Sequence, residues 1–199
     1  MENARAALYR RIDGIRSAWN AGSRHFDAFC IARSLAGVKL REARFSTPAF
    51  RGLLVTSPDK ARAIIVLNSL RSEEEQMFDL THELVHYALH PPTTDSGLYE
   101  PGFEWEADEG AAELLLPYRD FLSFYKNIRS LYIADEDRAV RALAKEFSVT
   151  PGMVKTRLLS LSPEIAQLEA GTPIENIHPL PRRAAAPCKK PSIDVLCEG

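Results

Sequence analysis

The sequence predicts an α+β fold, on three observations. Residues 38–68 hold three short runs rich in alternating or β-branched residues. Residues 72–92 and then 103–117 change to helical spacing and end at prolines. Helical spacing continues to about residue 160. Three strands ahead of two helices imply a small, largely antiparallel sheet with helices packed on it.

The elements follow in order. Residues 3–21 place Ala7, Leu8, Ile12, Ile15 and Trp19 on one helical stripe, and Phe26 to Leu35 give a second helix ending near Gly37. Cys30 falls within that apolar pattern and reads as a small buried hydrophobe. Val38 to Phe45 alternates as a half-buried strand; Arg51–Thr56 and Arg62–Leu67 follow, separated by the turn Ser57-Pro-Asp-Lys. Ser72 and Glu75 then form a capping box, with Glu73 and Glu74 adding negative charge to the first turn. Pro91-Pro92 stops this helix, which is expected to run from about 73 to 90.

Composition excludes several classes. A length of 199 residues and a hydrophobic share of 45% suit one compact domain with some extra. A net charge of −2 offers no general attraction to nucleic acid or anionic membrane. Cys30, Cys188 and Cys197 have neither the number nor the spacing of a disulfide framework or a four-cysteine zinc site. The N-terminal run lacks the apolar stretch of a signal peptide, and no segment approaches a membrane span. The expected location is cytoplasmic.

The chemistry is concentrated in His82-Glu83-Leu84-Val85-His86. Residues four apart on a helix share a face, about 6 Å apart along the axis. Two imidazoles so placed can share one zinc ion, while Glu83 leans beside them where it can act on the water to be activated. Downstream, Glu104 and Asp108 also lie four apart, a spacing that suits one carboxylate on the metal and a second holding a ligand histidine from behind. Glu106 is about 200° round the helix from Glu104, so the two are not expected at one ion. Ala107 and Ala111 would let the two helices approach closely. His90 lies about 12 Å beyond His82 along the helix and is expected to support the site or the helix end rather than bind the metal.

Phe78-x-x-x-His-Glu-Leu-Val-His-x-x-x-His90, paired with Glu104-Trp-Glu-Ala-Asp-x-x-Ala-Ala-x-Leu-Leu-Leu-Pro117, resembles the ImmA/IrrE family of zinc metallopeptidases. Phe50-Arg-Gly-Leu and Ala63 to Asn68 are similar to that family's strands, and the resemblance covers roughly residues 30–160. It implies a minimal zincin-like core with one Zn²⁺ held by His82, His86 and Glu104, Glu106 being the alternative third ligand. Mn²⁺ or Fe²⁺ would suit the same donors. It also implies Glu83 as the catalytic base, Asp108 behind a ligand histidine, and a strand near the metal, Ile64 to Asn68, that pairs with extended substrate. The implied substrate is a helix-turn-helix transcriptional repressor whose cleavage releases mobile-element or stress-response genes. The sequence departs from the family pattern twice. Val85 stands where Gly is usual, and Gly110 where a bulky aromatic is usual, which is expected to loosen local packing.

Three regions result: a core over 1–117, a helical extension over 118–160 and a flexible tail over 161–199. Within the extension, Ala139, Leu143 and Phe147, then Thr150-Pro-Gly-Met-Val154, read as helix, tight turn, helix. Arg138, Arg141, Lys145, Lys155 and Arg157 could contact phosphates there, although a helical hairpin covering the core accounts better for the charge balance. That leaves two rivals to the peptidase: a DNA-binding regulator, and a module that binds a repressor without cutting it. In the tail, Cys188 and Cys197 beside Lys189 and Lys190 read as free thiols.

Overall fold

The computed structural model describes residues 3–19, 21, 25–92 and 100–181. Its fold is α+β. Helix α1 spans Ala4–Ala18 and α2 spans Ala28–Ser34. Three strands follow: β1 (Val38–Ala43), β2 (Gly52–Thr56) and β3 (Ala63–Asn68). The remaining helices are α3 (Glu73–Leu89), α4 (Pro101–Leu115), α5 (Tyr118–Ala134), α6 (Glu136–Phe147), α7 (Pro151–Ser160) and α8 (Ser162–Glu169).

The sheet is mixed, in the order β1-β3-β2. β2 and β3 form the expected antiparallel pair, but β1 lies parallel to β3. The largely antiparallel sheet is thus corrected, and the cause is the 44–51 connection. It crosses the end of β3 to reach the far side, held by the Asn68 amide, which donates to the carbonyls of Thr47 (2.8 Å) and Phe50 (2.7 Å). Gly37, before β1, has φ +82°, and a Cβ there would collide with the Ala61 carbonyl.

Leu54, Ile65 and Leu67 point inward from the sheet and are buried beneath α3. The predicted capping box starts α3: Ser72 Oγ accepts from the Glu75 N–H, and the Glu75 carboxylate accepts from the Ser72 N–H. At the other end, Lys60 Nζ, from the β2–β3 turn, donates to the carbonyls of Tyr87 (2.7 Å) and His90. A cation on these terminal carbonyls ties the turn to the end of α3. Cys30 is exposed rather than buried, because the short α2 turns Ala28, Ile31 and Ala32 inward and position 30 faces away from them.

A buried ionic cluster joins the ends of the fold. Arg5 of α1 donates to Glu109 (2.9 Å) and Glu164 (3.1 Å); Arg157 of α7 donates to Tyr9 Oη (2.8 Å), Glu109 (3.2 Å) and Glu113. Arg5 and Arg157 are each 1% exposed. Arg157 is therefore not a phosphate contact: it is spent inside the protein. The expected flexible tail over 161–199 is folded as far as residue 181, and the rest of it lies outside the described residues. α8 occupies Ser162–Glu169, Ile177 is fully buried, and the Leu180 N–H donates to Glu164 (2.7 Å). Apolar burial and a charged anchor hold this stretch against α1. Cys188 and Cys197 lie outside the described residues.

Candidate metal centre

α3 turns His82, Glu83 and His86 inward, all buried, while Leu80, Leu84 and Val85 pack into the core. The His82 and His86 Nε2 atoms face each other at 3.0 Å. α4 brings Glu104 against them, one carboxylate oxygen 3.6 Å from His82 Nε2 and the other 3.7 Å from His86 Nε2. One ligand atom from each of the three falls within 4.8 Å of the others. Tetrahedral ligands at zinc–donor distances of roughly 2.0–2.1 Å lie about 3.3–3.4 Å apart. The observed edges bracket that spacing, so the donor set fits one small divalent cation.

Each histidine is held from behind. Asp108 Oδ1 accepts from His82 Nδ1 at 3.0 Å, which leaves the Nε2 lone pair facing inward. Arg51 Nη1 donates to the same oxygen at 3.2 Å. Burial alone would raise Asp108, but the His82 hydrogen bond, the His82 charge and Arg51 outweigh it and hold the carboxyl below its ordinary range. Burial alone would lower His82; its bond to Asp108 and the carboxylates of Glu83, Asp108 and Glu104 outweigh that and raise it. Behind His86 stands His90, Nδ1 to Nδ1 at 2.8 Å. His90 Nε2 in turn meets Glu106 Oε2 at 3.1 Å, an oxygen that also accepts from Arg11 Nη1 at 2.9 Å. Burial lowers His90, against the opposing pull of Glu106.

Glu104 thus stands among the inward-facing donors, and Glu106 is turned away toward His90 and Arg11, as the 200° separation predicts. Glu83 sits beside the start of β2: a Cβ on Gly52 would lie 3.6 Å from Glu83 Oε1. Ile64 and Asn68 are not placed to pair with a substrate. β3 is the central strand, with both edges already bonded, and Asn68 spends its amide on the 44–51 connection. Among the described residues, the unpaired edge nearest Glu83 belongs to β2.

A family model described as the IrrE N-terminal-like domain, a peptidase family, matches residues 33–159, more than half of the chain. The chain belongs to that family. No curated protein matches the chain. Family membership makes the protein a peptidase by descent, and the His82–His86–Glu104 group is consistent with a metal-dependent one. The match takes in α3 to α7 almost whole and leaves out α1 and α8, which supply Arg11, Arg5 and Glu164. No helix among the described residues is long and apolar enough to cross a membrane.

Sequence reasoning missed Arg51, Arg11 and the buried cluster. Glu109 and Glu113 carried a usable signal: they lie four apart on a face flanked by Gly110 and Ala111, where a solvated acidic stripe would not be expected.

Proposed function

We propose that the protein is a zinc-dependent endopeptidase that cleaves a helix-turn-helix transcriptional repressor. The observation that carries the catalytic part is the triangle of His82 Nε2, His86 Nε2 and the Glu104 carboxylate, set beside the buried Glu83. His82, His86 and Glu104 would hold Zn²⁺, and the same donors suit Mn²⁺ or Fe²⁺. When bound, the metal polarises the scissile carbonyl and makes water acidic enough to attack at neutral pH. Glu83 accepts the proton of the attacking water and delivers it to the departing amine nitrogen. Asp108 keeps His82 in the binding tautomer. The edge of β2 left unpaired among the described residues, beginning at Gly52, receives an extended substrate segment through main-chain hydrogen bonds.

Family membership supports the repressor as substrate, and its cleavage would release mobile-element or stress-response genes. The test is to incubate the purified protein with a helix-turn-helix repressor encoded beside it and map new peptide ends by mass spectrometry. Wild-type protein gives one defined cut, and Glu83→Gln retains its metal but yields none. A stable complex without new ends would make the protein a binding module instead.

A further inference from the structure

We infer that His90, Glu106 and Arg11 form a relay that sets the tautomer of His86, making His90 a positioning residue for the metal centre. This rests on the metal reading above. His86 offers Nε2 to the centre, so the single proton of its neutral ring must sit on Nδ1. That atom faces His90 Nδ1 at 2.8 Å, so His90 Nδ1 must accept. A neutral His90 then carries its own proton on Nε2, which faces Glu106 Oε2 at 3.1 Å. Glu106 has only lone pairs to offer and is held as an acceptor by Arg11 Nη1 at 2.9 Å. Donation therefore runs one way, from His86 to His90 to Glu106. Reversal at His90 would drive the His86 proton onto Nε2 and fill the lone pair that binds the metal.

The surroundings hold the relay in place. His90 is 1% exposed and stacks on Phe103 with ring centroids 4.6 Å apart. Its carbonyl is held by Lys60. The two ligand histidines are thus oriented differently, His82 by a carboxylate directly and His86 by a carboxylate acting through a second imidazole. Arg11 belongs to α1, ahead of the matched residues 33–159, so a segment outside the family region reaches the metal centre through two side chains.

The test uses full-length protein labelled with ¹⁵N-histidine and stripped of metal. Long-range ¹H–¹⁵N spectra at mildly alkaline pH report which nitrogen of each ring is protonated, and competition with a chromophoric chelator reports zinc affinity. The expected result is Nδ1–H at His86 and Nε2–H at His90 in the metal-free wild type. His90→Ala should lower zinc affinity about 10- to 100-fold. Glu106→Gln should lower it less, because the amide oxygen still accepts but without charge, and should mix the His86 tautomers. Nε2–H at His86 in the wild type, or zinc affinity within twofold of wild type in both variants, overturns the relay. If His90→Ala does not fold, Glu106→Gln decides on the same readouts. A wild type that binds no zinc would sink the metal reading, while its tautomers still decide the relay.

Discussion

Val85 and Gly110 fill one space between α3 and α4: a Cβ added to Gly110 would lie 3.1 Å from Val85 Cγ1 and 2.9 Å from Ile12 Cδ1. The sequence resemblance marks both as departures from the expected pattern, in opposite directions. The loosening expected from Gly110 does not occur, because the volume given up at 110 is occupied from 85. Gly110→Phe should overpack this contact and destabilise the fold by about 3 kcal/mol or more. Adding Val85→Gly should recover at least about 1 kcal/mol of that loss, read as a coupling energy in urea unfolding. Additive single-variant effects would show that the two positions do not share the space.

Glu104 and Glu106 should separate cleanly in metal content. Glu104→Ala loses stoichiometric zinc after dialysis, because two imidazoles alone remain. Glu106→Ala keeps one equivalent at micromolar protein, since Glu106 acts only through His90 and His86. Elemental analysis of both proteins decides, and zinc lost with Glu106 but kept without Glu104 would move the third ligand.

Asp108 and Arg51 touch through one oxygen but should differ in weight. Asp108→Ala removes the acceptor behind His82 and should weaken zinc binding about 10- to 100-fold. Arg51 is half exposed where it meets Asp108, and an exposed pair is worth about 0–1 kcal/mol. Arg51→Met should therefore cost no more than about fivefold. Equal losses in chelator competition would mean that Arg51 does more than support Asp108.

Glu113 should make stability depend on pH. Burial pushes its carboxyl from 4.5 up to about 7, against the opposing charge of Arg157 and the Tyr118 N–H. The folded state then binds this proton more tightly than the unfolded chain does. Its contribution is full below about 4.5 and is lost as pH rises through about 7. Metal-free wild type should lose stability between pH 5 and 8 relative to Glu113→Gln in urea titrations; parallel profiles would refute this. Arg157→Met leaves Glu109 to Arg5 but takes the cation from Glu113, so it should cost most above about pH 7, up to about 3–5 kcal/mol, and less where Glu113 holds its proton.

The parts legible in the sequence were those governed by local rules. The capping box at Ser72, the stop at Pro91 and the i, i+4 pairs His82–His86 and Glu104–Asp108 need only helical geometry, and each element they predict is present. The direction of β1 was not legible, because it depends on Asn68 holding a connection some twenty residues earlier in the chain. For the same reason Ile64 and Asn68 were misplaced as a substrate edge: strand order is a property of the whole sheet. Arg157 looked like any other cation in a basic segment, and only packing against Glu109 and Glu113 shows it to be buried. Arg11 gave no signal at all, since its partner Glu106 lies 95 residues away.

The buried cluster also bears on the order of assembly. Arg5 emerges first in synthesis, Glu109 and Glu113 midway, and Arg157 and Glu164 near the end. Until those last partners arrive, closing α1 onto α4 would strand charges in a dry interior. Docking of α1 onto α4 is therefore expected to wait until translation has passed residue 164.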